Sequence, residues 1–129
     1  MFRRILLESH AEIEEWIKSL CARGYTVVLF GSRARGGARI DSDWDLVVLG
    51  DAPPGEPPND LAQVHYATPQ VAAGEIARFN TIFVDAFYEG RLICGDAQLF
   101  QTLRELAARR TQGMVKTQLG WIAERQQRS

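Results

Sequence analysis

Two aspartates one residue apart, Asp43 and Asp45, stand at the head of an apolar run that continues through Leu46, Val47, Val48 and Leu49. Side chains two positions apart on a strand share a face, so the two carboxylates project together. Neighbouring carboxylates repel, and partly buried unpaired charge is costly. A cation between them relieves both problems. With oxygen donors and no usable His or Cys neighbour in the sequence, Mg²⁺ or Mn²⁺ suits the pair better than zinc. Ten residues separate Ser32 from Asp43, and Gly31-Ser32 closes an earlier apolar run, Tyr25 to Phe30. Glycine there lets the backbone approach a ligand closely and adopt positive φ. The amides that follow can then point at phosphate oxygens, with the Ser32 hydroxyl as a further donor. Arg33, Arg35 and Arg39 bring guanidinium groups within a few residues.

A third acidic residue interrupts another apolar run. Residues 81–87 read as a third strand, and Asp85 lies between Val84 and Ala86 with Phe83 and Phe87 as its same-face neighbours. Were that strand to lie beside the first two, Asp85 would complete a three-carboxylate cage suited to a pair of metal ions. Each piece also has a plainer reading. Gly-Ser after a strand is an ordinary turn, and Asp-x-Asp occurs at strand starts, in glycosyltransferases and in calcium loops. Asp41 alternates onto the same face as Asp43 and Asp45, leaving the register open, and a lone Asp85 also fits an edge strand with a surface partner. In this order and on these strands, the combination is far more specific than its parts.

The elements that must position these residues are legible in outline. Ser9 and Glu12 have the spacing of a capping box. Ile13, Trp16, Ile17 and Leu20 then form one helical stripe, with Gly24 as a C-cap glycine. Tyr25 to Phe30 suits a strand buried on both faces. Residues 33–42 form a loop or short helical turn, and Asp43 to Leu49 a second strand. The segment 51–58, with four prolines, is an irregular and flexible excursion within one domain. Leu61 to His65 reads as a short strand. Thr68-Pro69 opens a helix to about Phe79, and Asp96 caps one to about Arg110 with Leu99, Leu103 and Leu106 in line. Met114, Val115, Leu119, Trp121 and Ile122 predict a last helix over about 114–126, which packs on the sheet or docks a partner. The fold class that results is α/β (α+β), a small mixed β-sheet covered by helices with a C-terminal helical extension.

The chain has 129 residues, 46% hydrophobic and 24% charged, which fits one ordinary globular domain over 1–129. No apolar run is long enough to cross a bilayer, and the first eight residues do not have the pattern of a signal peptide. Cys21 and Cys94 fit no metal or redox spacing and read as buried thiols in a reducing compartment, hence a cytoplasmic protein. Residues 1–40 carry seven Lys/Arg against four Asp/Glu, residues 41–96 two against ten, and residues 97–129 six against two. An acidic middle between basic ends fits a solvated surface and equally fits carboxylates gathered around a cation. No region is long or basic enough to guide a nucleic-acid template.

The run Gly31-Ser32-Arg33-Ala34-Arg35-Gly36, followed by Ser42-Asp43-Trp44-Asp45-Leu46-Val47-Val48, resembles the signature of the DNA polymerase β-type nucleotidyltransferase superfamily. It looks most like the small prokaryotic minimal nucleotidyltransferase (MNT) branch. Val84-Asp85-Ala86 is similar to that family's third acidic strand. The likeness covers about residues 10–110 and settles the register on Asp43 and Asp45, with Asp41 as an extra. It implies that Asp43, Asp45 and Asp85 hold Mg²⁺ or Mn²⁺, with Asp85 also helping to deprotonate an attacking hydroxyl. Gly31, Ser32 and Arg35 would hold the phosphates of ATP or another nucleoside triphosphate. The implied reaction is in-line attack on the α-phosphorus with pyrophosphate leaving. Members of this branch are often paired with a HEPN-domain protein, frequently a ribonuclease toxin, and some act as antitoxins by transferring AMP to its tyrosine.

Three functions compete at this level. The first is nucleotide transfer to a protein hydroxyl, and the second a nucleotide-binding antitoxin that neutralises its partner by occlusion. The third is transfer to a small molecule, as in aminoglycoside nucleotidyltransferases, which usually carry a second domain. A homo-oligomer fits all three. Trp44 and Tyr88 are the candidates for contacting a base, although Trp44 alternates away from the aspartates and reads more simply as core.

Overall fold

The computed structural model describes residues 2–123. Its elements run α1 (Phe2–Ala22), β1 (Thr26–Phe30), α2 (Ser32–Arg35), β2 (Trp44–Leu49), β3 (Ala62–Ala67), α3 (Pro69–Ala77), α4 (Thr81–Glu89), β4 (Arg91–Cys94), α5 (Ala97–Arg110), β5 (Met114–Thr117) and β6 (Gly120–Ala123). Four strands form a mixed sheet in the order β3-β2-β1-β4, with β2 and β3 parallel and the other pairs antiparallel. No helix among the described residues is long and apolar enough to cross a membrane.

Alternation along the two central strands sorts their side chains between two helical layers. Val27, Leu46 and Val48 pack with Ile13, Ile17 and Leu20 of α1 on one face. Val28, Phe30, Val47 and Leu49 pack with α3, α4 and α5 on the other. The α1 stripe is the one its spacing predicts. Helix α1 starts at Phe2, however, so Ser9 lies inside it rather than at its cap. Thr68 and Asp96 cap α3 and α5 as expected, their side chains accepting from the amides of Val71 and Leu99.

Residues 81–89 form a helix, which corrects the expected third strand. Asn80 caps it by accepting from the Ile82 amide, and Phe83, Val84, Ala86 and Phe87 are its buried face. Those positions follow helical spacing, and a short apolar run does not distinguish strand from buried helix until its caps are counted. Asp85 therefore sits on a helix, partly buried and off the face that packs on the sheet. Gly90 makes the sharp exit into β4, where a Cβ would overlap the Ala86 carbonyl. Arg104 donates to the carbonyls of Phe87 and Gly90 and so closes the end of α4.

The expected C-terminal helix is a β-hairpin as far as Ala123, and residues 124–126 lie outside the described residues. Thr117 and Gly120 face each other across Gln118 and Leu119, with Gly120 at φ 117°. Leu119 projects from the tip almost fully exposed. Positive φ at Gly120 and the β-forming neighbours Val115, Thr117 and Trp121 outweigh the weak helical stripe. Trp121 packs edge-on against Tyr88 of α4 at 4.8 Å and Phe79 at 6.2 Å, so the hairpin lies on the helical layer rather than on the sheet.

Two further expectations change. Cys21 and Cys94 are joined in a disulfide between the end of α1 and β4, not left as free thiols, which removes the thiol argument for a reducing compartment. Their separation of 73 residues conceals a pairing that the fold brings to a Cα–Cα distance of 5.9 Å. The proline-rich segment is irregular but tethered. Tyr25 donates through its hydroxyl to the carbonyl of Ala52 (2.9 Å), and Arg23 reaches that of Pro54.

Candidate active site

Antiparallel pairing sets Phe30 directly opposite Asp45, so the end of β1 delivers the Gly31-Ser32 turn to the carboxylate. Gly31 adopts φ 76° and ψ −156°, a region essentially reserved for glycine. A Cβ on Gly31 would overlap Oδ2 of Asp45. The turn and the carboxylate are thus packed backbone to side chain, with Ser32 opening the short helix α2.

Asp45 is half-buried and shares its sheet face with Val47 and Leu49, while Asp43 is exposed just before the strand. Burial and then the neighbouring Asp43 charge raise the Asp45 carboxyl above its ordinary value, with His65 and Arg35 partly opposing. Asp43 therefore lies near enough to bear on the Asp45 charge, a repulsion of the kind that a divalent cation between them would relieve. An all-oxygen pair fits Mg²⁺ or Mn²⁺.

Asp85 does not join them. Its Oδ1 accepts from Trp121 Nε1 at 2.9 Å and pairs with Lys116 Nζ at 2.7 Å. Among the described residues, no three His, Cys, Asp or Glu side chains come together as a metal-holding group. The expected three-carboxylate cage does not form among the described residues, because the element carrying Asp85 is a helix facing the hairpin.

The arginines divide by role. Arg35 pairs with Glu89 at 3.0 Å and lies close enough to Asp45 to lower its carboxyl. Arg33 turns the other way, donating to the Ser42 carbonyl at 2.8 Å and lying 5.0 Å over the Trp44 ring. Burial lowers the Arg33 guanidinium, with Asp43 opposing. Arg39 pairs with exposed Asp41. Trp44 faces α1 and donates from Nε1 to His10 Nδ1 at 2.9 Å, which bears out its reading as a packing residue. With Nε2 against the Ile40 carbonyl, His10 carries its proton on Nε2. The trio fastens the 36–43 loop to α1. Tyr88 is half-exposed against Trp121.

His65 is the residue the sequence reading missed. Parallel pairing sets Gln63 beside Asp45 and His65 beside Val47, which puts the imidazole on the Asp45 face one pleat along. Its ring lies 6.2 Å from that of Phe30. Burial lowers the imidazole from its ordinary value, and the Asp45 charge opposes this. The register of a parallel pair joined by a long excursion is not readable from spacing, so nothing in the sequence linked His65 to Asp45.

Searches of curated proteins and of solved structures return no match to this chain. Residues 11–107, well over half of the chain, match the family described as "Nucleotidyltransferase domain". The chain belongs to the nucleotidyltransferase domain family.

Proposed function

We propose that the protein transfers a nucleoside monophosphate from a Mg²⁺-bound nucleoside triphosphate, ATP in the first instance, to a hydroxyl. The observation that supports this is the seating of the Gly31 backbone against Asp45, which would let a phosphate-binding turn and a cation-binding pair work as one site. Asp43 and Asp45 would hold the cation, which neutralises charge on the phosphates and on the departing pyrophosphate. Gly31, Ser32 and Arg35 would orient the phosphate chain. The bond formed joins the acceptor oxygen to the α-phosphorus, and the bond broken links that phosphorus to the oxygen bridging to the β-phosphate. The hydroxyl proton passes to solvent.

The acceptor we favour is a tyrosine of a HEPN-type toxin, with the protein as its antitoxin in the manner of the minimal nucleotidyltransferases. The support for this is the sequence resemblance described above. Asp85, held by Lys116 and Trp121, favours a second reading, a nucleotide-binding antitoxin that acts by occlusion with little transfer. The experiment is to incubate the protein with labelled ATP and Mg²⁺, with and without the product of its neighbouring gene, alongside Asp43→Ala. Label on the partner that disappears with Asp43→Ala supports transfer. Inhibition of the partner without label, unchanged by the substitution, selects occlusion instead.

A further inference from the structure

A cavity of about 510 Å³, a volume typical of small-ligand sites, opens between α2, the end of α4 and the edge of β5. Its walls are Arg35, Glu89, Lys116, Thr117 and Gln118. Arg35 is three residues past Ser32, so one wall of the cavity is carried by α2, the helix that follows the Gly31-Ser32 turn. One oxygen serves two cations there. Glu89 Oε1 lies 3.0 Å from Arg35 Nη1 and 3.4 Å from Lys116 Nζ. Lys116 and Glu89 are mostly buried, with side chains 24% and 19% exposed. Lys116 is positioned by the hairpin beside Trp121, and Asp85 Oδ1 anchors both, 2.7 Å from Lys116 Nζ and 2.9 Å from Trp121 Nε1.

Two convergent cations on a cavity wall, bridged by a single carboxylate oxygen, form an anion site filled from within. We propose that Lys116 joins Arg35 in gripping the polyphosphate tail of the nucleotide, and that Glu89 is the internal anion which the tail displaces. This rests on the nucleotide-transfer reading above. It adds a residue from a hairpin outside the matched stretch 11–107. The chemistry favours exchange, since a polyphosphate offers several anionic oxygens where Glu89 offers two, and charge-assisted hydrogen bonds strengthen accordingly. With Glu89 and Asp85 both in place the four side chains are neutral together, so Glu89 weakens anion binding while it stays.

The test is calorimetric titration of the full chain with inorganic tripolyphosphate and with Mg²⁺-ATP, comparing Lys116→Met, Lys116→Arg, Glu89→Gln and Ser32→Ala. Lys116→Met is expected to weaken both ligands about tenfold, the loss of one charge-assisted contact, and Lys116→Arg to restore most of that. Glu89→Gln is expected to tighten tripolyphosphate binding several-fold, the opposite of what loss of a purely structural ion pair would do. Unchanged or weaker binding in Glu89→Gln, or an unaffected Lys116→Met, overturns the inference; if Ser32→Ala still weakens ATP, the nucleotide reading survives. Failure of the wild-type chain to bind either ligand overturns both.

Discussion

The backbone of Gly31 runs so close to Asp45 that no side chain fits between them, and the same glycine holds φ 76° and ψ −156°. Substitution therefore meets two obstacles at once. Gly31→Ala is expected to lose about 1–3 kcal/mol from the backbone conformation alone, and to push the Asp45 carboxylate out of place. Urea denaturation should show the first effect and Mn²⁺ titration the second. A variant with unaltered stability and metal affinity would refute the close seating.

Asp45 has a testable sign. Its folded carboxyl is raised by burial and by Asp43, so the ionised form is disfavoured by folding. The contribution is absent below the ordinary carboxylate range, where the group is protonated in both states. A destabilisation builds as pH rises from the ordinary value towards the raised one and is complete above it. Asp45→Asn should then unfold at higher urea than wild type at pH 7, with the gap closing in acid. Mg²⁺ or Mn²⁺ should stabilise the wild type and leave Asp45→Asn indifferent.

Asn80 reports on the nature of residues 81–89. As the cap of α4 it accepts from the Ile82 amide, and its side-chain amide also donates to Glu75 at 3.1 Å. Asn80→Ala should cost about 1 kcal/mol, the usual worth of such a cap. Chemical denaturation with no change in midpoint would argue for a different conformation there.

The Cys21–Cys94 bridge closes a long loop that takes in β1, α2, β2, β3, α3, α4 and β4. Thiol labelling of the unfolded, unreduced chain should find neither cysteine reactive. Reduction, or Cys21→Ser with Cys94→Ser, should lower stability by about 2–4 kcal/mol. Two labelled thiols before reduction would rule the bridge out.

Much of this arrangement is legible in the amino-acid sequence. The strands carrying Phe30 and Asp45 show as near-continuous apolar runs because both faces are buried, and the caps Thr68 and Asp96 declare their helices. Asp43 and Asp45 are recognisable because strand alternation is local. Asp85 misled because a short Val- and Phe-containing run fits either period, and the one local discriminant was Asn80. The hairpin misled because Val115, Leu119 and Ile122 imitate a helical stripe, although Gly120 marks a turn. His65 and the Cys21–Cys94 pairing depend on register and chain path, which no spacing encodes.

The alternation of β2 also fixes where this chain can change length. Trp44 is committed to the α1 layer and Asp45 to the opposite one, so one residue gained or lost within 44–49 would exchange an indole for a carboxylate on each side. The stretch 36–43 has no such parity. It is fastened at Ile40 and Ser42, through His10 and Arg33, and could lengthen around those points while the carboxylates stay in register. Length variants made there would separate the reach of the loop from the chemistry it borders.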